Sequence, residues 1–174
     1  MDSPASAGFF HSFDSMIRPI LSTMKILLAR HGDAESSSTN PERPLSDLGR
    51  RQIESIADQL RSRGERVDEV LHSDLLRAKE TAEMLAAVVA PSSVPKNQPG
   101  LNPNDDPIPL AVEIADRGCA SLLVGHLPFM HLLSGFLVSG RLERGGIEFL
   151  PGTVACFERS GERWKLAWRM DPEI

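Results

Sequence analysis

The run Met24-Lys25-Ile26-Leu27-Leu28-Ala29 does not alternate apolar with polar residues, and it stops at Arg30-His31-Gly32. A short, nearly continuous apolar run fits a strand covered on both faces, the habit of parallel sheets flanked by helices. A second run, Ala120-Ser121-Leu122-Leu123-Val124-Gly125, ends in the same way at His126. Each of the two clearest strands therefore delivers a histidine at its C-terminal end. In open α/β sheets that edge is where ligands bind.

Between and after these runs the chain alternates strand and helix patterns. Ser46 and Asp47 supply an N-cap and a first-turn charge for a helix with Ile53, Ile56, Ala57 and Leu60 at helical spacing, and Gly64 stops it. A strand is expected at 67–72. Ser73 and Asp74 then open a second helix with Leu75, Ala78, Ala82, Leu85 and Val89 on one stripe. Residues 91–107 read as an irregular connection with room for a short strand, and residues 109–117 as a helix closed by Gly118. Pro128 suits the first turn of an apolar helix reaching Val138. Two antiparallel strands, 153–158 and 164–168, finish the chain across Ser160-Gly161, with Trp164 and Trp168 on the same side. The fold class is α/β: one domain of three layers, α/β/α, with a mostly parallel central sheet and an antiparallel C-terminal edge.

The bulk properties narrow the partners. With 174 residues, 41% of them hydrophobic, the chain suits one domain with a real core. Lys and Arg number 19 against 24 Asp and Glu, a formal net charge of -5, which argues against nucleic acid as a partner. A few converging arginines can still focus a positive field in a cleft. No stretch approaches a membrane span, so no membrane partner is expected. Residues 1–23 carry Asp2 and Asp14 and lack a signal-peptide pattern. They read as a flexible extension, with Met24 as a candidate true start. Two cysteines, Cys119 and Cys156, make no disulfide framework; both are expected to be buried thiols in a cytoplasmic protein.

His31 with Arg30, Ser73 ahead of Arg77, and His126 all fall at strand ends, which assembles groups complementary to phosphate. Taken singly, each is more simply a solvated or structurally bonded side chain. Together they point to one site for an anion.

Four segments then carry a family resemblance: Arg30-His31-Gly32-Asp33-Ala34; Arg43-Pro44-Leu45-Ser46; Ser73 with Leu76-Arg77-Ala78 and Thr81; and Gly125-His126-Leu127-Pro128. In order and spacing they resemble the histidine phosphatase superfamily, with its phosphoglycerate mutase-like fold. More closely, they are similar to its small bacterial phosphohistidine phosphatases of the SixA type. The resemblance implies a histidine phosphatase domain over residues 24–174. It implies His31 as the nucleophile that is transiently phosphorylated, with Arg30 and Arg77 clamping the phosphoryl oxygens and His126 donating a further hydrogen bond. Arg43 would be a further phosphate contact, a surface arginine being the plain alternative, and Gly32 would let the backbone come close. It further implies a cytoplasmic hydrolase that needs no cofactor. Its substrate would be a phosphorylated protein, such as a histidine phosphorelay domain, or a small phosphate ester.

Larger superfamily members supply a general acid from an inserted region; here only residues 101–107 correspond. Asp33, Asp105 and Asp106 are the candidates, each more simply a loop carboxylate capping backbone N–H groups. Asp74 stands where the family commonly has proline, and its charge could partly neutralise Arg77 from the first helical turn. The like charge of Arg30 and Arg77 should lower the pKa of His31. A metal site built from His31, Asp33, His126 and His131 conflicts with the adjacent Arg30, so none is expected. No Cys-x5-Arg spacing follows Cys156, no Gly-x-Ser-x-Gly elbow occurs, and His11 and His72 carry no signal. From another class, a phosphate-binding module without catalysis would fit the same cluster, although an intact His31 favours catalysis.

Overall fold

The first apolar run forms β1 (Lys25–Arg30). It is followed by α1 (Asp47–Arg63), β2 (Glu69–His72), α2 (Leu76–Val89), β3 (Lys96–Asn97), α3 (Pro107–Arg117), β4 (Ser121–Gly125), α4 (Phe129–Ser139), β5 (Val154–Ser160) and β6 (Arg163–Met170). This computed structural model describes residues 24–142 and 145–174; the extension expected at 1–23, with His11, lies outside the described residues. The strands make one six-stranded sheet in the order β3-β2-β4-β1-β5-β6. β1, β2, β3 and β4 run parallel, and β5 and β6 add the antiparallel edge. The expected α/β/α architecture is the one observed.

Side chains of β1 alternate between two separate cores, which is why the run has to be apolar throughout. Leu27 and Ala29 pack with α1 and α2 through Ile53, Ile56, Leu60, Ala82 and Leu85. Ile26 and Leu28 pack on the other face with α3 and α4 through Leu110, Ile114, Phe129 and Leu133. Each fully buried Leu or Ile contributes on the order of 2 kcal/mol from desolvation. Ser46 caps α1, accepting from Gly49 N–H at 3.0 Å, and Gly64 closes it in the left-handed region at φ 69°.

Several local expectations change. The second helix begins at Leu76 rather than at Ser73-Asp74; its cap residue is Leu75, and Asp74 lies exposed in the bend before it. Pro128 stands at the cap of α4, one residue before its first turn. Trp164 and Trp168 do not share a face: Trp164 joins the core under α3 and α4, whereas Trp168 packs toward α1 and α2. The cause is a register shift in the β5–β6 pairing. Cys156 pairs with Trp168 but Phe157 with Leu166, so Ala167 is an extra residue that turns the strand over. Cys156 is buried as expected, but Cys119 is only half-buried, its Sγ lying near Glu69 and Ser121.

Candidate active site

Three adjacent parallel strands, β2, β4 and β1, end at one level. Arg30 pairs with Gly125 and His72 with Val124, so the residues one step beyond are His31, His126 and Ser73. The register alone therefore sets the two histidines side by side, with ring centroids 4.8 Å apart and planes inclined by 54°. The backbone at this level is pinned. His31 N–H donates to Gly125 C=O at 3.1 Å, Gly152 N–H to His31 C=O at 3.1 Å, and Ser73 N–H to Val124 C=O at 3.2 Å.

His31 is held in one tautomer. Its Nδ1 lies 2.6 Å from Gly32 C=O, an acceptor, so Nδ1 carries the proton. Nε2 is left as a lone pair, which takes a hydrogen bond from Arg77 Nε–H at 3.3 Å. Burial pushes the imidazole down to about 4, and the charges of Arg77, Arg30 and Arg43 add to the shift while the Gly32 hydrogen bond opposes it. The expected like-charge repulsion is thus present, but burial is the larger cause. At neutral pH the His31 ring is therefore uncharged, with its lone pair on Nε2.

The cations come from different elements. Arg30, at the end of β1, donates from Nη1 to Phe149 C=O at 2.8 Å, while its buried Nε has no partner among the described residues. Arg77 sits in the first turn of α2. Burial and the neighbouring Arg43 charge hold it below the usual guanidinium value, and Asp74 does not figure among the charges acting on it. Arg43 occupies the left-handed region at φ 50° and donates from Nε to Glu35 C=O, with its charge felt at both His31 and Arg77. His126 is 2% exposed. Burial first, then His31, Arg77 and Arg30, push it down to about 3.

Other candidates are engaged elsewhere. Gly32 turns its N–H inward to Thr81 Oγ1 at 3.3 Å, and a Cβ there would stand 2.8 Å from Gly49 C=O. Its smallness thus serves the packing of α1 against the loop. Asp33 accepts from Ser46 Oγ–H at 2.6 Å, Asp105 from Asn102 N–H at 2.8 Å, and Asp106 caps α3 through Ile108 N–H at 3.0 Å. His131 is exposed, with Nδ1 on Ile147 C=O. Among the described residues, no three His, Cys, Asp or Glu side chains converge as metal ligands. Sequence reasoning passed over Ser73 as a partner of His126, Phe149 as the carbonyl that aims Arg30, and His72, whose Nδ1 bonds Ser73 C=O at 2.7 Å. Position directly after β2, at the third strand end, was the available signal for Ser73.

A sheet edge that gathers two neutral imidazoles and three guanidinium groups is complementary in charge and hydrogen bonding to a tetrahedral oxyanion. Residues 26–101 match the family model of the histidine phosphatase superfamily (branch 1). Among solved structures the chain is similar to the protein histidine phosphatase SixA complexed with tungstate, at 24% identity and TM-score 0.76 over 86% of this chain and 97% of that one. It is similar to the SixA structure from Agrobacterium tumefaciens, at 22% identity and TM-score 0.70 over 86% and 99%. It is also similar to a phosphoserine phosphatase mutant from Entamoeba histolytica in complex with phosphoserine, at 15% identity and TM-score 0.64 over 84% and 96%. No curated protein matches the sequence. The family match bears out the resemblance, and the structural matches bear out the SixA-like fold. Among the described residues, no helix is long and apolar enough to cross a membrane.

Proposed function

We propose that the chain is a phosphatase that passes the phosphoryl group through His31, and that its substrate is a phosphohistidine on a protein. The observation that carries this reading is the state of His31: Nδ1–H tied to Gly32 C=O, an unprotonated Nε2 that accepts only from Arg77 among the described residues, and no charge on the ring.

The chemistry follows in two steps. The Nε2 lone pair forms a bond to phosphorus as the substrate's P–N bond breaks, and the departing imidazole keeps that electron pair and takes a proton from solvent. Water then attacks phosphorus, the P–Nε2 bond breaks, one water proton leaves to solvent, and inorganic phosphate departs. Arg30 and Arg77 offset the negative charge spread over the equatorial oxygens. His31 is neutral before and after.

Two observations favour a phosphohistidine on a protein over a small ester. Asp33, Asp105 and Asp106 are all occupied with hydrogen bonds that order their loops. An alkoxide leaving group needs an acid; a phosphoramidate needs less help. Beside the site, Leu127, Pro128, Ile147 and Phe149 line an open, mostly apolar cleft of about 420 Å³, which suits a protein surface better than a polyanionic metabolite. The small-ester reading draws on the likeness in fold to a phosphatase that binds phosphoserine. Turnover of a phosphohistidine-bearing protein should exceed that of alkyl phosphates in a panel at equal concentration. Faster turnover of alkyl esters would favour the second reading. Binding of phosphoprotein with no turnover of anything would leave a non-catalytic module.

A further inference from the structure

His126 has a partner on one ring nitrogen and none on the other. Nε2 lies 2.5 Å from Ser73 Oγ, and Nδ1 is buried without a hydrogen-bond partner among the described residues. A buried unpaired polar atom is costly, so its identity, N–H or lone pair, matters to what the site can bind. An N–H there would donate to an anion; a lone pair would repel it.

The hydroxyl of Ser73 decides between them. Ser73 is 1% exposed, and among the described residues its Oγ has two hydrogen-bonding neighbours: His126 Nε2 and the backbone N–H of Leu75 at 3.4 Å. Leu75 N–H can only donate. The single hydrogen of Ser73 therefore has one acceptor within reach, His126 Nε2. Were Nε2 itself protonated, Ser73 Oγ would receive two donors, its own O–H would be stranded, and Nδ1 would be a second unpaired atom. Placing the proton on Nδ1 satisfies both Nε2 and Ser73 and leaves only Nδ1–H, a donor. Burial together with the charges of Arg77 and Arg30 keeps the ring neutral, so the choice is between these two tautomers. His72 steadies the arrangement by donating from Nδ1 to Ser73 C=O at 2.7 Å.

We propose that Ser73 is a positioning residue: its hydroxyl donates to His126 Nε2 and holds that ring as the Nδ1–H tautomer, which presents a neutral donor to the phosphoryl group. The role in turnover rests on the phosphatase reading of the site; the tautomer does not.

The test uses the full chain labelled with 15N-histidine. Long-range 1H–15N spectra at pH 7, assigned by the loss of signals in a His126→Gln variant, report which nitrogen of His126 carries the proton. The expected pattern is a protonated Nδ1 and an unprotonated Nε2. Ser73→Ala should shift the ring toward Nε2–H and weaken orthovanadate binding about tenfold or more, the scale of one lost hydrogen bond to a charged group. Ser73→Thr, which restores a hydroxyl, should recover the tautomer and most of the affinity. A protonated Nε2 in the unmodified protein overturns the proposal even if Ser73→Ala fails to fold. So does an unchanged tautomer and unchanged orthovanadate affinity in folded Ser73→Ala. If the tautomer is as stated and no phosphorylated substrate is turned over, the phosphatase reading fails and the positioning of His126 stands.

Discussion

His31 and His126 follow adjacent parallel strands at the same register, yet their surroundings make them opposite in kind. His31 is half-exposed, its proton fixed on Nδ1 by the carbonyl of its own neighbour, with Nε2 turned to Arg77. His126 is buried, its Nε2 engaged by a hydroxyl from a third strand end. Both are neutral, but one offers a lone pair and the other is held against offering it. Strand-end placement makes a site available; the hydrogen-bond partner of each ring assigns the role.

The comparison breaks most visibly under substitution of the two rings in turn. With an aryl phosphate, His31→Ala should lower kcat by at least about 10⁴-fold, because it removes the nitrogen that takes the phosphoryl group in the proposed mechanism. His126→Ala should cost less, about 10²-fold, as the loss of one preorganised donor. Equal effects, or the reverse order, would mean that the roles are misassigned.

Arg77→Lys sharpens the contrast from the cationic side. The charge remains, so His31 stays neutral, but the planar fork that matches two phosphoryl oxygens is gone. A fall of about 10²-fold in kcat/KM is expected, with the acid limb of the pH profile unmoved. A shift of that limb would show that Arg77 acts on His31 rather than on the substrate.

The lowered values of His31 and His126 also make a statement about pH. Ordinary histidine titrates near 6.5, and these rings are pushed down to about 4 and about 3. Between roughly pH 6.5 and 4 the unfolded chain binds protons that the folded chain refuses, so stability rises with pH across that window. Their contribution is complete above about 6.5 and is lost as pH falls through the folded values. Urea midpoints should therefore drop from pH 7 to pH 4, with a shallower drop in His31→Ala, while kcat/KM holds until pH approaches about 4. Activity that collapses near 6.5 would place His31 in an ordinary environment.

Much of this could be read before any coordinates, for reasons that differ by residue. β1 and β4 were legible because burial on both faces demands an unbroken apolar run, and their ends were legible because Arg30-His31-Gly32 breaks the first and Gly125-His126 the second. α1 was legible because Ser46 and Gly64 mark its ends chemically. The side taken by Trp168 was not, since the extra residue Ala167 exists only relative to β5, and no local pattern records a shift in pairing. Ser73 with Asp74 reads in the sequence as the opening of a helix; that its hydroxyl meets His126 depends on pairing between strands that brings together two residues 53 apart in sequence. The reason for glycine at position 32 was likewise invisible, since the group it makes room for, Gly49 C=O, belongs to α1.

The smallest expected effect concerns the carboxylates that stand on neither side of the histidine pair. Asp105→Asn keeps an oxygen that can accept from Asn102 N–H and removes only the charge and the proton a carboxyl could give. If the leaving group departs without an acid from this loop, kcat for a phosphoramidate should stay within about threefold and the basic limb of the profile should not move. The same substitution read out on an alkyl phosphate is more demanding, because an alkoxide leaves poorly unprotonated. A drop of tenfold or more there, with the basic limb gone, would make Asp105 the acid that its hydrogen bond argues against, and would move the substrate reading toward small esters.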